Sequence, residues 1–202
     1  MARAANMKKA LRTQKRLINT ALRLIWLHGY TEVSIDAIAK AAKVKKGSVY
    51  HFFPSKMDLL IAAMDYVAKI YAKKLHHINE QARSPRQALL NYIHWLCEAQ
   101  KQAKARYGFV PGFFYMSIGA ALAKDNEVLA ADLHSSYQKH FSYVSQILID
   151  MSKEESLIID PLAMTNTIVF IVSGAVWQAR ISNDTKPLDD VSLALAQLLD
   201  TP

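Results

Sequence analysis

Residues 34–56 constrain the fold of this chain more than any other segment. Their sequence is Ser-Ile-Asp-Ala-Ile-Ala-Lys-Ala-Ala-Lys-Val-Lys-Lys-Gly-Ser-Val-Tyr-His-Phe-Phe-Pro-Ser-Lys. Apolar residues recur at helical spacing from Ile35 to Ala42 and again at Val49 and Phe52, with a lysine-rich turn between the two groups. Two helices this short bury little between themselves, so they need a third helix to pack on. The pattern predicts a helix-turn-helix, a unit that offers its second helix to the major groove of DNA.

Positive charge is concentrated around this unit. Residues 1–56 contain twelve Lys and Arg against two acidic residues, a balance of +10, whereas the whole chain carries a formal charge of +8. The remaining residues, 57–202, therefore have a balance of −2. A basic surface that coincides with a helix-turn-helix is the electrostatic footprint expected for a polyanion. We therefore expect double-stranded DNA to be the partner of the N-terminal part.

The rest of the composition argues for an all-α protein of the cytoplasm. Apolar residues make up 51% of the 202 residues, which is ample for a core, and the apolar spacing is helical almost throughout. The single Cys97 excludes an internal disulfide framework, and no signal peptide is visible. The uncharged segment from Leu162 to Ala179 is interrupted by polar residues, so we expect a helix buried on nearly all sides and no membrane contact.

Start and stop signals divide the chain into about nine helices. The first helix is expected from about Ala10 to His28, where Gly29 ends it, and the segment before it is expected to form a loose basic arm. One later helix is expected to end at about Ala123, and the next is expected from about Asn126 to Ser152. Two starts carry capping signals: Ser55 with Asp58, and Ser84 with Gln87.

The segment from about Thr13 to Leu60 resembles the TetR/AcrR family of bacterial repressors. The motifs that carry the resemblance are Gly29-Tyr30, Ser34-Ile35-x-x-Ile38-Ala39-x-x-Ala42 and Val44-x-Lys46-Gly47-Ser48-Val49-Tyr50-His51-Phe52-Phe53-Pro54-Ser55-Lys56. Lys43 stands where the family usually has glycine, and Lys45 where it often has serine or threonine. The remaining two thirds is similar to the family in helix count and order.

The resemblance implies an all-α homodimer built of two parts. An N-terminal helix-turn-helix DNA-binding domain, residues 1–54, would bind a palindromic operator. A helical ligand-binding and dimerisation domain, residues 55–202, would bind a small-molecule effector that moves the DNA-binding heads and releases the operator. Two-fold symmetry would place the half-sites about 34–36 Å apart or a multiple of that distance.

Eleven residues are candidates for contacts with DNA. They are Arg12, Thr13, Lys15, Ser34, Lys45, Lys46, Gly47, Ser48, Tyr50, His51 and Lys56. Base reading is expected of Lys45, Lys46 and Ser48 at the entrance of the recognition helix, because a lysine there can donate to guanine O6 or N7. Gly47 lets the backbone approach closely. The others are expected to contact phosphates, Ser34 and Lys56 because they begin helices, and Tyr50 with His51 because they match family positions that face the DNA backbone.

Two helices are candidates for the dimer interface. Apolar residues from Ile168 to Val176 surround nearly the whole girth of one helix, which only burial against both its own core and a partner copy would cover. A second face is predicted on the preceding helix, from Leu129, Leu133, Tyr137, Phe141 and Val144. Together they predict a four-helix interface.

Eight large side chains are candidates for the effector pocket: Tyr66, Tyr92, Trp95, Phe113, Phe114, Met116, Phe170 and Trp177. For any one of them, ordinary core is the better explanation. Arg180 follows an apolar run, so it could pair with a ligand carboxylate or instead form a salt bridge or an exposed helix end. The sequence does not name the effector.

An enzyme is the main alternative class. His94 and Cys97 are spaced i, i+3 but lack a third metal ligand, and no glycine-rich phosphate loop or nucleophile elbow is present. We therefore expect no catalytic residue, no metal and no cofactor. Two alternatives stay open: a DNA-binding dimer that acts as an activator or without an inducer, and a redox role for Cys97 in place of simple burial.

Overall fold

The computed structural model describes residues 2–122, 127–154 and 160–200, and all regular structure in these ranges is helical. The helices are α1 (Ala2–His28), α2 (Ile35–Ala41), α3 (Lys46–Phe52), α4 (Lys56–Gln81), α5 (Pro85–Tyr107), α6 (Phe114–Leu122), α7 (Glu127–Glu154), α8 (Pro161–Ser182) and α9 (Lys186–Asp200). The predicted all-α fold is confirmed. The helix boundaries expected at Ala123 and Asn126 lie outside the described residues.

The predicted helix starts are observed, with one exception. The Ser55 hydroxyl accepts a hydrogen bond from the Asp58 N–H at 3.1 Å, and the Asp58 carboxylate accepts one from the Ser55 N–H at 2.9 Å. The exception is α1, which begins at Ala2, so the expectation of a loose arm is wrong. Alanine, arginine, methionine and lysine predominate there, and all are strong helix formers.

The N-terminal helices share their apolar core with the helices that follow them. Leu17 on α1, Ile38 on α2 and Val49 on α3 are fully buried in one cluster, which also contains Leu59 and Leu60 from α4. The same cluster continues to the first residues of α6 and α7. The helix-turn-helix is therefore packed on α1 and α4, and its core reaches the body of the protein.

A second apolar cluster forms the body from α4, α5, α7, α8 and α9. The inner face of α8 contributes Ile168 and Val172 to it. The outer face is not covered within the chain, since Phe170, Trp177 and Ile181 are 64%, 47% and 73% exposed. The expectation that α8 is buried on nearly all sides is therefore wrong for the single chain. Among the described helices, α8 alone is long and apolar enough to cross a membrane. One such helix is weak evidence for a membrane span, because core helices often pass the same test.

Most of the face predicted on α7 for a dimer does not lie on the surface, although Tyr137 is 43% exposed. Leu129, Leu133 and Val144 are buried inside their own chain. This part of the interface prediction is wrong, because helical spacing identifies residues that share a face but not what covers that face. Exposed leucines lie on α9 instead, at Leu193 and Leu198, in addition to the outer face of α8.

The turn between α2 and α3 contains a residue in a strained backbone conformation. Lys43 has a φ of 53°, in the left-handed region, which costs a residue with a Cβ atom about 1–2 kcal/mol. Backbone hydrogen bonds hold the turn: the Lys43 N–H donates to Lys40 O at 3.1 Å, and the Val44 N–H donates to Ala39 O at 3.0 Å. The position at which the family usually has glycine is thus one that favours glycine physically.

Replacing Lys43 by glycine should raise the free energy of unfolding by about 1 kcal/mol, because glycine adopts this φ without strain. Urea denaturation at a fixed salt concentration would measure the change. The matched control is Lys45→Gly, which removes the same charge at a residue whose φ is −73° and should give no gain. An equal or smaller stability for Lys43→Gly than for the parent chain would contradict the strain.

Candidate functional site

The turn and the start of α3 present an exposed basic surface. Lys43, Lys45 and Lys46 are exposed there, and Val49 is buried beneath them. The residues of α3 that were predicted to point outward differ in exposure: Tyr50 and His51 are exposed, whereas Ser48 is half-buried. The structure therefore places the predicted base-reading lysines where an external polyanion could reach them.

Lys46 is not free in this structure, because its Nζ atom donates to the Asp36 carboxylate on α2 at 2.8 Å. This hydrogen bond raises the pKa of Lys46, so the side chain is charged at neutral pH. An exposed ion pair of this kind is worth only about 0–1 kcal/mol. Binding to a guanine or a phosphate would thus need little energy to displace Asp36.

The predicted phosphate-contacting residues differ in their surroundings. Arg12 and Lys15 are exposed on α1, while the Thr13 hydroxyl donates to Lys9 O at 3.0 Å. The Ser34 hydroxyl caps α2 by accepting from the Ala37 N–H at 3.1 Å. This capping bond uses an acceptor lone pair of Ser34 and leaves its own hydroxyl proton available to another oxygen.

Lys56, at the start of α4, lies over the ring of Tyr30 with its Nζ atom 4.1 Å from the ring centroid. Partial burial lowers the pKa of Lys56, opposed by the negative charge of Glu32. The ammonium group is thus held against the loop between α1 and α2, and a phosphate contact would be made from that position.

Gly47 is exposed on α3, and a Cβ atom built on it would meet no atom within 4 Å. Its φ is not in the left-handed region, so nothing inside the protein requires glycine there. Glycine within a helix costs roughly 0.5–1 kcal/mol relative to alanine. The absence of an internal reason for Gly47 favours close approach by an external molecule.

A cavity of about 300 Å³ lies between α4, α5, α6, α7 and α8. Its lining is almost entirely apolar and aromatic: Tyr71, Tyr92, Ile93, Leu96, Phe113, Tyr115, Met116, Tyr137, His140, Phe141, Val144, Ile168, Val169, Phe170, Val172 and Ser173. Met116, Tyr137 and Phe170 are also exposed, so the cavity reaches the surface between α6, α7 and α8.

Half of the eight predicted pocket residues line this cavity, namely Tyr92, Phe113, Met116 and Phe170. The other four lie elsewhere. Phe114 is buried in the N-terminal cluster, and Trp177 is 47% exposed on the outer face of α8. Trp95 packs behind the wall against Tyr71, with ring centroids 4.8 Å apart, and Tyr66 is not part of the lining.

Sequence reasoning missed most of the wall that α7 contributes. Tyr137, His140, Phe141 and Val144 follow the spacing i, i+3, i+4 and i+7, which signals one face of a helix. Three of these residues, Tyr137, Phe141 and Val144, belong to the face that the sequence predicts for a dimer, whereas His140 does not. The structure turns this face inward onto the cavity.

His140 and Tyr92 form the main polar contact of the wall. The Tyr92 hydroxyl lies 3.1 Å from His140 Nδ1, and Tyr71 packs edge-on against the imidazole with ring centroids 4.7 Å apart. Burial lowers the pKa of His140 to about 4 and raises the pKa of Tyr92 above its ordinary value. Both side chains are therefore neutral at pH 7, and a neutral Tyr92 can donate its proton to Nδ1.

The loop between α5 and α6 connects the cavity to α1 through Gly112. The Gly112 carbonyl accepts a hydrogen bond from Trp26 Nε1 on α1 at 2.7 Å and another from Gln100 Nε2 on α5 at 3.2 Å. The Gly112 N–H donates back to Gln100 Oε1 at 3.0 Å. Phe113, the next residue, lines the cavity. We call Trp26, Gln100 and Gly112 the Gly112 junction.

Arg180 on α8 holds the same loop by hydrogen bonds. Its guanidinium donates to Pro111 O and to Ser117 Oγ, and it does not line the cavity. Gly112 has a φ of 76°, and a Cβ atom there would come within 3.1 Å of Arg180 Cδ. The suggestion that Arg180 pairs with a ligand carboxylate finds no support in this position. The loop is tied to α8 instead.

Cys97 is buried in the body, and burial raises the pKa of its thiol. A buried thiol that stays protonated is a poor nucleophile, which fits a packing role. Within the described ranges, no group of three or more His, Cys, Asp or Glu side chains is placed to hold a metal ion.

Comparisons with known proteins agree with this arrangement. The profile of the bacterial regulatory proteins of the tetR family matches residues 17–63. The chain is 22% identical over 193 residues to the HTH-type transcriptional repressor NemR of Escherichia coli (strain K12), covering 94% of this chain and 95% of that protein. It is 25% identical over 178 residues to the transcriptional regulator AcuR of Cereibacter sphaeroides, covering 85% of this chain and 78% of that protein.

Solved structures share the whole fold. The crystal structure of reduced E. coli NemR matches with a TM-score of 0.80 at 23% identity, over 95% of this chain and 98% of that one. A TetR-family transcriptional regulator from Agrobacterium tumefaciens gives a TM-score of 0.82 at 16% identity, over 94% and 98% of the two chains. The likeness extends through both apolar clusters and so includes the body as well as the helix-turn-helix.

Burial of a neutral His140 predicts a specific loss of stability in acid. The pKa of His140 is about 4 in the folded chain against an ordinary 6.5, so between these pH values the unfolded chain binds a proton that the folded chain does not. The parent protein should lose stability relative to His140→Asn as the pH falls through this window. The difference should reach about 3 kcal/mol at most.

Urea unfolding of both proteins at a series of pH values would measure this difference. Asparagine can still accept a hydrogen bond from Tyr92, and His94→Asn, which removes an exposed histidine of α5, serves as the control. Identical pH profiles for the parent and His140→Asn would contradict the burial of a neutral imidazole.

Proposed function

Because this chain is a DNA-binding transcriptional regulator of the TetR family, we propose that it is a homodimeric repressor released from its operator by a small molecule. In this proposal residues 1–54 form the DNA-binding domain and residues 55–202 the ligand-binding and dimerisation domain. The observation that carries the proposal is the continuous path from an apolar cavity, through the Gly112 junction, to α1 of the helix-turn-helix unit.

DNA binding by the N-terminal part is supported by its charge and by the exposure of that charge. Twelve of the 25 basic residues lie within residues 1–56, and the exposed lysines at the start of α3 occupy the place from which a recognition helix contacts base edges. Gly47 adds an exposed position without a side chain, where a nucleic-acid backbone could approach. Base reading is assigned to Lys45, Lys46 and Ser48, and phosphate binding to the remaining candidates.

A homodimer is supported by the uncovered apolar faces of α8 and α9. Phe170, Trp177 and Ile181 lie on the outer face of α8, and Leu193 is 61% exposed on α9. Large contiguous apolar faces of this kind mark protein interfaces. Pairing α8 and α9 with the same helices of a second copy would cover them by two-fold symmetry, in a four-helix interface that uses α9 where the sequence suggested α7.

Release by a ligand is supported by the place of the cavity wall. Phe113 lines the cavity and is bonded to Gly112, whose carbonyl accepts the hydrogen bond from Trp26. A ligand that prefers a different position of Phe113 would therefore bias a hydrogen bond that holds α1. A ligand can shift an equilibrium only through such differential contacts. The repressor role is further supported by the likeness to NemR, and a cytoplasmic location follows from the DNA-binding role.

Replacing Lys45 or Lys46 by alanine should weaken operator binding about 5- to 150-fold, the loss expected for a contact with a base. The chain should keep its helical content, because both side chains are exposed. Fluorescence anisotropy with a labelled operator at fixed salt would measure the affinity, and circular dichroism the helix content.

The matched control is Lys153→Ala, which removes the same charge from α7, far along the chain from the basic surface. A similar loss of affinity in all three variants would point to net charge alone and remove the recognition-helix assignment. A further variant, Asp36→Asn, frees Lys46 from its ion pair and should strengthen binding or leave it unchanged.

The Gly112 junction predicts a variant that still binds the operator and the effector, but in which the effector changes operator affinity less. Trp26→Phe removes the indole N–H while Gln100 still donates to Gly112 O, so stability should fall by no more than about 1 kcal/mol. Once a thermal-shift screen has found an effector, the ratio of operator affinities without and with it should fall about 2- to 12-fold in Trp26→Phe.

Tyr143→Phe is the control, because it removes one hydrogen bond outside the junction, from the Tyr143 hydroxyl on α7 to Asn79 Oδ1 on α4 at 2.9 Å. The affinity of the free protein for the operator should stay within a factor of about two in both variants. Unchanged coupling in Trp26→Phe would exclude the junction from the release mechanism.

A further inference from the structure

The cavity wall differs from an ordinary core in that it combines many aromatic faces with very few polar groups. Tyr71, Tyr92, Phe113, Tyr137, Phe141 and Phe170 supply the aromatic faces. None of the described residues that line the cavity is Asp, Glu, Lys or Arg. Apart from tyrosine hydroxyls, the polar side chains of the wall are His140 on α7 and Ser173 on α8.

Such a wall discriminates by charge. A carboxylate or phosphate would lose its hydration without gaining a cationic partner, and a buried ion without a partner is strongly disfavoured. A lipophilic cation would gain contact with aromatic faces but would find no carboxylate among the lining residues. Burial lowers the pKa of His140 to about 4, so at neutral pH this side chain offers an anion a hydrogen-bond donor but no positive charge.

The volume limits the size of the occupant. An engineered cavity of about 150 Å³ binds benzene, so about 300 Å³ has room for about two such rings. Flat rings also suit the wall, because aromatic pairs prefer the edge-on and offset arrangements that its own side chains already make, as between Tyr71 and His140.

His140 supplies the point at which the occupant can be oriented. When the Tyr92 hydroxyl donates to Nδ1, the neutral imidazole carries its proton on Nε2 and can donate it. Among the described residues, Nε2 has no hydrogen-bond partner. Because His140 lines the cavity, a ligand with an acceptor oxygen could take this hydrogen bond, which contributes about 0.5–1.5 kcal/mol.

We propose that the effector is an uncharged aromatic molecule of one or two rings, with a hydroxyl or carbonyl oxygen that accepts a hydrogen bond from His140. This inference rests on the proposed function, since it takes the cavity to be the effector site. It adds the chemical class of the ligand and the residue that selects it.

Four probes of one shape test the class: 2-naphthol, 2-methylnaphthalene, 2-naphthoate and (2-naphthyl)trimethylammonium. Their dissociation constants are measured by calorimetry on the full chain at pH 7, where 2-naphthol is neutral. The two neutral probes should bind, the carboxylate should bind at least about 100-fold more weakly than 2-naphthol, and the ammonium at least about tenfold more weakly. Tightest binding by either ion, or no binding by both neutral probes at their solubility limit, would overturn the proposal.

Variants of the wall test the role of His140. In His140→Phe the ratio of the dissociation constants of 2-naphthol and 2-methylnaphthalene should change by about 2- to 12-fold in favour of the hydrocarbon. Tyr137→Phe, which removes another hydroxyl from the wall, is the control and should leave the ratio unchanged. A ratio that moves in Tyr137→Phe and not in His140→Phe would overturn the assignment of His140.

Site occupancy is tested separately with Val169→Trp, which fills the cavity from a half-buried position of α8. It should weaken both neutral probes, whereas Ser135→Trp on an exposed position of α7 should weaken neither. If Val169→Trp remains folded and binds both probes as the parent does, the cavity is not their site and the proposal fails.

The same titrations in the presence of operator DNA distinguish a failure of the proposed ligand class from a failure of the proposed repressor function. Binding of 2-naphthol without any change in operator affinity would contradict the proposed ligand-released repressor and leave the selectivity of the cavity standing. Release of the operator by 2-naphthoate in preference to 2-naphthol would support the repressor and overturn the ligand class.

Discussion

The helix-turn-helix depends for its position on helices outside it. α2 and α3 have seven residues each, fewer than the roughly 12–15 at which an isolated helix becomes even marginal in water. Burial of Ile38 and Val49 against α1 and α4 is what holds these two helices. Because the same cluster continues into α6 and α7, a movement of these helices bears directly on the packing beneath the helix-turn-helix. A displacement of α6 or α7 must be accommodated by repacking next to the helix-turn-helix, since close-packed interiors transmit such shifts.

α4 contributes to both ends of this arrangement. Its first turns bury Leu59 and Leu60 beneath α2 and α3, while Tyr71, about three helical turns later, lines the cavity. Tyr71 packs against both apolar clusters and stacks edge-on with Trp95 and His140. A ligand in the cavity would therefore contact a side chain that belongs to the N-terminal core as well as to the body. This route runs along one helix and is independent of the hydrogen bond from Trp26 to Gly112, so the helix-turn-helix is connected to the cavity in two ways.

The sequence predicted local features well and contacts between distant helices poorly. The capping pair Ser55 and Asp58 and the buried spacing of Ile35, Ile38 and Val49 depend on residues a few positions apart. A short segment of sequence therefore contains the whole signal. The cavity depends instead on five helices whose residues are up to 102 positions apart, from Tyr71 to Ser173. Periodicity identified the face of α7 but not its neighbour, and so a cavity wall was mistaken for a dimer face. Gln100 gave no signal, because a glutamine on an amphipathic helix is usually exposed, and only the tertiary structure buries it against Gly112.

α8 brings the cavity and the proposed subunit interface onto one helix. Val169 and Ser173 face the cavity, Trp177 and Ile181 face outward, and Phe170 is common to both because it lines the cavity and is 64% exposed. A second copy that covers the outer face would therefore cover Phe170 next to the cavity opening. Any rotation of α8 that makes room for a ligand then also changes the surface offered to the partner. Since coupling between two binding equilibria is reciprocal, association of the subunits must favour or disfavour the ligand by the same factor as the ligand affects association. Arg180 ties the loop at Gly112 to α8, so a shift of α8 caused by a ligand or by a second copy would also act on this loop.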